Sequence, residues 1–325
     1  MRAWVCHHLS SDRSGLRFET DWPEPPLPDA DEIMVAIDAA ALNYPDLLML
    51  SGAYQFRPQL PFVPGTEAAA RIIAVGAGVD RAQIGRPVIV SARGGCLAER
   101  VTLPFARVGD RPAGLAMEQA AGFAVGGITA AIAFERGRLA AGERVLVSGA
   151  GGGMGLAAVA MAKALGAHVV AAASDEAKLA AARAAGADET VRIARGACDL
   201  SAFKERIDVV FDPVGGALAP AALATLAWGG RYLVIGFVGG FPPPVATNRL
   251  LLRGIEIIGV RAGEQGRRDP AAAARARAAL DRLAADGACR PHIGLIVPME
   301  DADKAFAAMA SGTLVGKAVV KVDVR

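Results

Sequence analysis

In the stretch ERVLVSGAGGGMGLAAVAMAKALGA, residues 143–167, small residues fall at Ala150, Gly152 and Gly155. This A-x-G-x-x-G spacing lies directly behind an apolar run and directly ahead of a helical pattern, and it suits a diphosphate. The first small residue makes a tight turn, the second lets backbone N–H groups approach phosphate oxygens, and the third lets helix and strand pack closely. The helix then turns the positive end of its dipole toward the doubly negative group. A glycine cluster alone marks many ordinary turns. Here the strand before it, the helix after it and a second apolar run at 168–173 complete a βαβ unit. Ala150, Gly152, Gly153, Met154 and Gly155 are therefore assigned to dinucleotide binding.

The end of the second strand bears on which dinucleotide. NAD-binding units usually place an acid there, to bond the ribose 2′-hydroxyl. This chain reads Ala171-Ala172-Ala173-Ser174, and Asp175 comes only as the next helix begins. Ser174 can donate a hydrogen bond to a 2′-phosphate, and Lys178 supplies a point charge one turn later. The pattern favours NADPH over NADH. The plainer reading makes Asp175 a helix-start acid and Lys178 a solvated surface residue.

Other chemistries find little support. Cys6, Cys96, Cys198 and Cys289 are scattered, and His7, His8, His168 and His292 form neither H-x₃-H nor H-E-x-x-H, so no metal site is expected. Nothing beside Cys96 would activate it as a nucleophile. With 35 basic and 33 acidic residues the net charge is +2, which gives no field for nucleic acid or an acidic membrane. Only six residues are lysine, so arginines carry little information singly. The N-terminus has no apolar leader and no run is long enough to span a bilayer, which leads to the expectation of a cytoplasmic protein.

The elements that must position these residues follow a change of texture. The first third consists of short apolar runs punctuated by Pro and Gly (residues 1–6, 32–40, 86–92 and 97–103), as in a compact β unit. From residue 144 short apolar strands alternate with Ala-rich helical patterns, the signature of a parallel sheet wrapped by helices. Residues 269–286 read as a helix, and 314–324 return to strand texture and rejoin the β-rich unit.

The chain resembles zinc-independent medium-chain dehydrogenases/reductases of the NADPH:quinone oxidoreductase (zeta-crystallin-like) family. The matching segments are ALNYPDLLMLSGAY (41–54), PFVPGTE (61–67), the glycine turn, FDPVGG (211–216), GRYLVIGFVGG (230–240) and Lys317 in TLVGKAVVKV. The resemblance implies an α/β fold: a GroES-like β-rich domain over 1–120, completed by 265–325, plus a Rossmann doubly wound parallel-sheet domain over 121–264, with the active site in a cleft. Where zinc-dependent relatives carry Cys and His, this chain has Asn43 and Thr66. Without thiolate or imidazole, metal activation of an alcohol is a poor expectation.

The implied activity is hydride transfer from NADPH to a quinone or similar conjugated carbonyl. The alternatives are reduction of an enoyl thioester or alkenal, or NADPH binding without catalysis. By resemblance, Asn43 and Tyr44 lie beside the nicotinamide and Tyr54 lines the substrate mouth. These three are the candidate catalytic residues, although Asn43 reads equally as a loop-holding residue and the tyrosines as packing. Thr129, Gly236, Phe237 and Lys317 are implied on the cofactor, although a helix-capping hydroxyl would look the same as Thr129. Arg192 stands beside Ile193, where relatives have a phosphate-binding tyrosine. Glu67 reads as a buried structural acid. A small-molecule substrate and a homodimer, formed through the apolar strand at 255–260, complete the expectation.

Overall fold

The computed structural model describes residues 1–193 and 198–322. From the N-terminus come β1 (Ala3–Cys6), β2 (Leu16–Glu19), β3 (Glu32–Ala41), α1 (Tyr44–Leu50), β4 (Glu67–Val75), β5 (Pro87–Ser91), β6 (Arg100–Pro104), β7 (Val108–Asp110) and α2 (Met117–Ala121). Helix α3 (Ala124–Arg136) leads to β8 (Arg144–Ser148), α4 (Gly153–Ala164), β9 (His168–Ala173), α5 (Glu176–Ala184), β10 (Glu189–Arg192) and β11 (Ile207–Asp212). Then follow α6 (Ala219–Ala224), β12 (Leu226–Val234), α7 (Thr247–Arg253), β13 (Glu256–Gly259), α8 (Ala262–Arg268) and α9 (Pro270–Ala285). The chain closes with β14 (Ile293–Pro298), α10 (Ala302–Ser311) and β15 (Lys317–Lys321).

These elements form two compact units, Met1–Val125 with the segment from Ile293 onward, and Gly126–His292. The return to the first unit thus comes later than the residue 265 expected from sequence. Helices α8 and α9 stay with the second unit because their side chains bond there. Arg136 donates to Gln265 at 2.7 Å, Arg275 to Glu135 at 2.6 Å, and Leu280 packs directly on Gly127. The last three residues of the expected span, 323–325, lie outside the described residues.

In the first unit, β3 alternates over residues 32–38: Ile33, Val35 and Ile37 are buried while their neighbours are only partly so, before Ala39, Ala40 and Ala41 are all buried. That period of two lets one face of a strand line the core while the other meets solvent or a neighbouring layer. Among the described residues the main sheet runs β14-β15-β3-β4-β5-β7, with β6 also on β3. Strand β15 lies parallel to β14 and antiparallel to β3, so the C-terminal segment forms an interior strand.

In the second unit the described strands form a six-stranded parallel sheet in the order β10-β9-β8-β11-β12-β13. Counted from β8, this is the 3-2-1-4-5-6 order of dinucleotide-binding sheets, which reverses direction between β8 and β11. Val145, Leu146 and Val147 on β8 and Val169–Ala172 on β9 are fully buried, as both-faced covering by helices demands. Helices α2 and α3 are separated at Gly122-Phe123, since Gly122 ends α2. Helix α6 stops at Ala224, because Leu226 already pairs in β12 beside Ile207.

Candidate functional site

The second unit presents the glycine turn at the C-terminal end of β8. Gly149 takes φ +59°, a left-handed conformation that favours glycine, and Ala150 N–H bonds the Ala172 carbonyl at 3.0 Å. Helix α4 opens on Gly152, which offers no side-chain cap. The first-turn amides of Gly153, Met154 and Gly155 have no partner within the helix and stand ready for an external acceptor. A Cβ at Gly155 would lie 2.2 Å from the Gly149 carbonyl oxygen, so only glycine lets the helix sit this close. A Cβ at Gly151 would strike the Lys178 side chain at 2.2 Å, which brings the turn against the start of α5.

There the structure brings together Ser174, Asp175, Lys178 and Arg192. Lys178 Nζ bonds Ser174 Oγ at 2.9 Å and pairs with Asp175 Oδ2 at 3.1 Å. Asp175 caps α5, accepting the Lys178 amide at 3.0 Å and the Ser174 hydroxyl at 2.9 Å. Its charge is thus tied up locally. Burial opposes its ionisation, but these hydrogen bonds and the ammonium hold its carboxyl below the ordinary range. Arg192 reaches the Ser174 carbonyl at 3.4 Å from the next strand. This set has the donors and charges that a nucleoside diphosphate with a 2′-phosphate needs.

Gly236 and Phe237 follow β12 and interlock with the loop after β11. Val238 N–H bonds the Pro213 carbonyl at 3.2 Å and Gly239 N–H the Val214 carbonyl at 2.7 Å. The Phe237 ring packs at a tilt against Phe241 with centroids 5.2 Å apart. Thr129 lies in the second turn of α3, which begins at Ala124, so its hydroxyl is not at a capping position.

The first unit holds a buried polar cluster that sequence reasoning found only in part. Asp46, third residue of α1's first turn, accepts the Asn43 amide at 2.7 Å and the Gly65 amide at 3.2 Å. With this backbone bond closing the helix start, the Asn43 side chain turns elsewhere. Its Nδ2 donates to Thr66 Oγ1 at 3.1 Å and to Glu67 Oε1 at 3.0 Å. Its Oδ1 accepts from Lys317 Nζ at 2.7 Å, and the same ammonium pairs with Glu67. Glu67 also accepts the Val125 amide at 2.9 Å. The Lys317 side chain is thus engaged by Asn43 and Glu67. Its ammonium lies inside the first unit, 6% exposed, between a carboxylate and an amide.

Electrostatics in this cluster follow from burial. Desolvation pushes the Asp46 carboxyl up to about 7, helped by nearby Glu67 and opposed by two backbone amides and Lys317. Burial, then the Asp46 and Glu67 carboxylates, push the Cys96 thiol up, which keeps it inert. Tyr44 opens α1 and is half-buried, while Tyr54 packs against the first unit's core. Neither hydroxyl makes a hydrogen bond to any described residue. Among the described residues no three His, Cys, Asp or Glu side chains could hold a metal ion. Zinc does not fit the Asn43–Thr66 position: the donors there are an amide and a hydroxyl, and an ammonium already neutralises Glu67.

Comparison with known proteins agrees with this geometry. Residues 29–134 match the alcohol dehydrogenase GroES-like domain, and residues 153–279 match the model described as zinc-binding dehydrogenase. The latter stretch contains one cysteine, Cys198, and one histidine, His168, so its description implies no zinc site here. Quinone oxidoreductase-like protein 2 of Bos taurus is 31% identical over 99% of this chain and 92% of its own. The quinone oxidoreductase of Thermus thermophilus, whose structures include a complex with NADPH, is 34% identical with a TM-score of 0.85. It covers 99% of this chain and 100% of that one. A mycobacterial protein complexed with NADPH aligns with a TM-score of 0.88 at 26% identity, over 99% of this chain and 100% of its own.

Proposed function

The chain belongs to the quinone oxidoreductase family of the medium-chain dehydrogenases/reductases, and from that membership we propose that it is an NADPH-dependent reductase of quinones or similarly conjugated carbonyls, working without a metal. The observation that carries the proposal is the uncapped start of α4 next to the Ser174–Lys178 pair, which together fit a diphosphate and a 2′-phosphate. Bound there, NADPH supplies the hydride.

The chain's own residues supply the rest. A conjugated acceptor spreads the charge that arrives with the hydride, so one or two hydrogen-bond donors suffice at its oxygen. Asn43 has its side-chain amide engaged by Thr66 and Glu67, which favours a loop-ordering role over donation to the acceptor. The unengaged hydroxyls of Tyr44 and Tyr54 are the better donors. Gly236, Phe237 and Thr129 are proposed on the nicotinamide side, and Arg192 beside the 2′-phosphate.

The proposed assembly is a homodimer through β13, the sheet edge. Ile257 on that strand, Leu251 and Leu252 on α7 and Trp228 on β12 are exposed, an apolar surface that a second copy would cover. Cys6, Cys96 and Cys289 are buried as thiols, which supports a reducing, cytoplasmic setting. Among the described residues no helix is long and apolar enough to cross a membrane.

Paired fluorescence titrations with NADPH and NADH, followed by NADPH oxidation with quinones, alkenals and enoyl thioesters, test the reading. Tighter binding of NADPH and turnover with quinones are expected. Equal or tighter NADH binding, or no turnover with any acceptor, would overturn it.

A further inference from the structure

The segment FDPVGG ends β11 on Asp212, a carboxylate that is 1% exposed and has no part in the chemistry above. Its surroundings are all donors. Ser148, the last residue of β8, donates its hydroxyl to Oδ1, and Tyr232 of β12 donates its phenol to Oδ2. The backbone amides of Val214 and Gly215 close on the same carboxylate at 2.8 and 3.1 Å. Burial first, then the adjoining carboxylate, push the Tyr232 hydroxyl's pKa up, so it stays a donor.

The place of this knot matters more than its strength. β8 and β11 are the neighbours between which the strand order reverses, and dinucleotides bind in the crevice at the carboxyl ends of such strands. Ser148 directly precedes Gly149, where a Cβ would meet Val214 Cγ2 at 2.9 Å. The glycine turn and the loop after β11 are therefore in contact. That loop in turn holds the loop after β12, through Gly239 N–H to Val214 and Gly216 N–H to the Gly240 carbonyl at 2.8 Å. One carboxylate thus fixes the ends of three adjacent strands.

We propose that Asp212 is a positioning residue for the nicotinamide half of the cofactor: it touches no ligand, but sets the relative placement of the glycine turn, loop 213–216 and loop 236–240. This rests on the reading that NADPH binds at the glycine turn. The adenosine end is held from β9 and α5 by Ser174 and Lys178, which the Asp212 knot does not include.

The test compares NADPH with 2′,5′-ADP, which lacks the nicotinamide half, by fluorescence and calorimetric titration of Asp212→Asn, Tyr232→Phe and Ser148→Ala proteins. Asp212→Asn keeps the shape but sets an amide against a donor. It is expected to weaken NADPH by about tenfold, the size of one lost hydrogen bond, while 2′,5′-ADP binding stays nearly unchanged. Tyr232→Phe and Ser148→Ala each remove one donor and should shift NADPH in the same direction by less. If Asp212→Asn fails to fold, those two variants decide alone. Unchanged NADPH affinity, or parallel loss of both ligands as general loosening would give, overturns the inference. Failure of the wild-type protein to bind NADPH overturns the cofactor reading and, with it, the inference.

Discussion

Lys317 and Glu67 pair where almost no water reaches either partner, and removing one leaves the other charged and stranded. Lys317→Met should therefore cost about 3–5 kcal/mol of folding stability, measured by urea denaturation, and adding Glu67→Gln should recover much of it. No recovery in the double variant would mean that packing, not charge, sets the loss. Asp46 in the same cluster makes stability depend on pH. Its folded pKa of about 7 lies above the ordinary unfolded value, so the folded state retains the proton longer. That contribution is full below about pH 4, fades as pH rises toward 7 and is gone above it. Asp46→Asn should therefore gain stability relative to wild type between about pH 5 and 8, read as urea midpoints at each pH; a constant difference would count against it. Lys178 is expected to discriminate between cofactors. Lys178→Met should weaken NADPH by about tenfold while hardly moving NADH, since only the former brings a 2′-phosphate to the ammonium.

The turn between β8 and α4 has no room for an added carbon at Gly149, Gly151 or Gly155. Gly155→Ala sets a methyl against the backbone of residue 149, and the clash can be relieved only by moving helix or strand. A stability loss of about 1–3 kcal/mol is expected, with loss of NADPH binding in fluorescence titration. An alanine variant that binds normally would show that the turn is not where the diphosphate sits. This element was readable from sequence because its signal is local: an apolar strand, a glycine spacing and a helix within some two dozen residues. The Asn43–Lys317 contact joins residues 274 positions apart, and Asp212 meets Ser148 across 64. Neither juxtaposition has a local pattern to announce it. Family resemblance brought Lys317 to notice, but its pairing with Asn43 and Glu67 could not be read from a matched position, which does not say where a long side chain turns. Tyr232, the tyrosine outside the 44–54 stretch, gave no signal beyond lying in an apolar run; its buried hydroxyl needed a partner, and Asp212 is that partner.

At the level of the whole molecule, Trp228, Leu251, Leu252 and Ile257 expose apolar surface on and beside β13, and Leu252→Asp or Ile257→Asp should turn the proposed dimer into a monomer by light scattering. A wild-type monomer at micromolar concentration would rule out that use of the edge. The alternation of strand and helix made the second unit legible in order. The place where the chain leaves it was not, because helices α8 and α9 have the same Ala/Arg texture on either assignment. The first unit is made of two separated stretches, and its inner strand β15 carries Lys317. During synthesis Glu67 emerges long before its counter-charge, with the entire nucleotide-binding unit translated in between. A nascent chain therefore has a carboxylate without its ammonium partner, and the β-rich unit is expected to close fully only when residue 317 arrives, so that one late strand would time the completion of a core begun some 250 residues earlier.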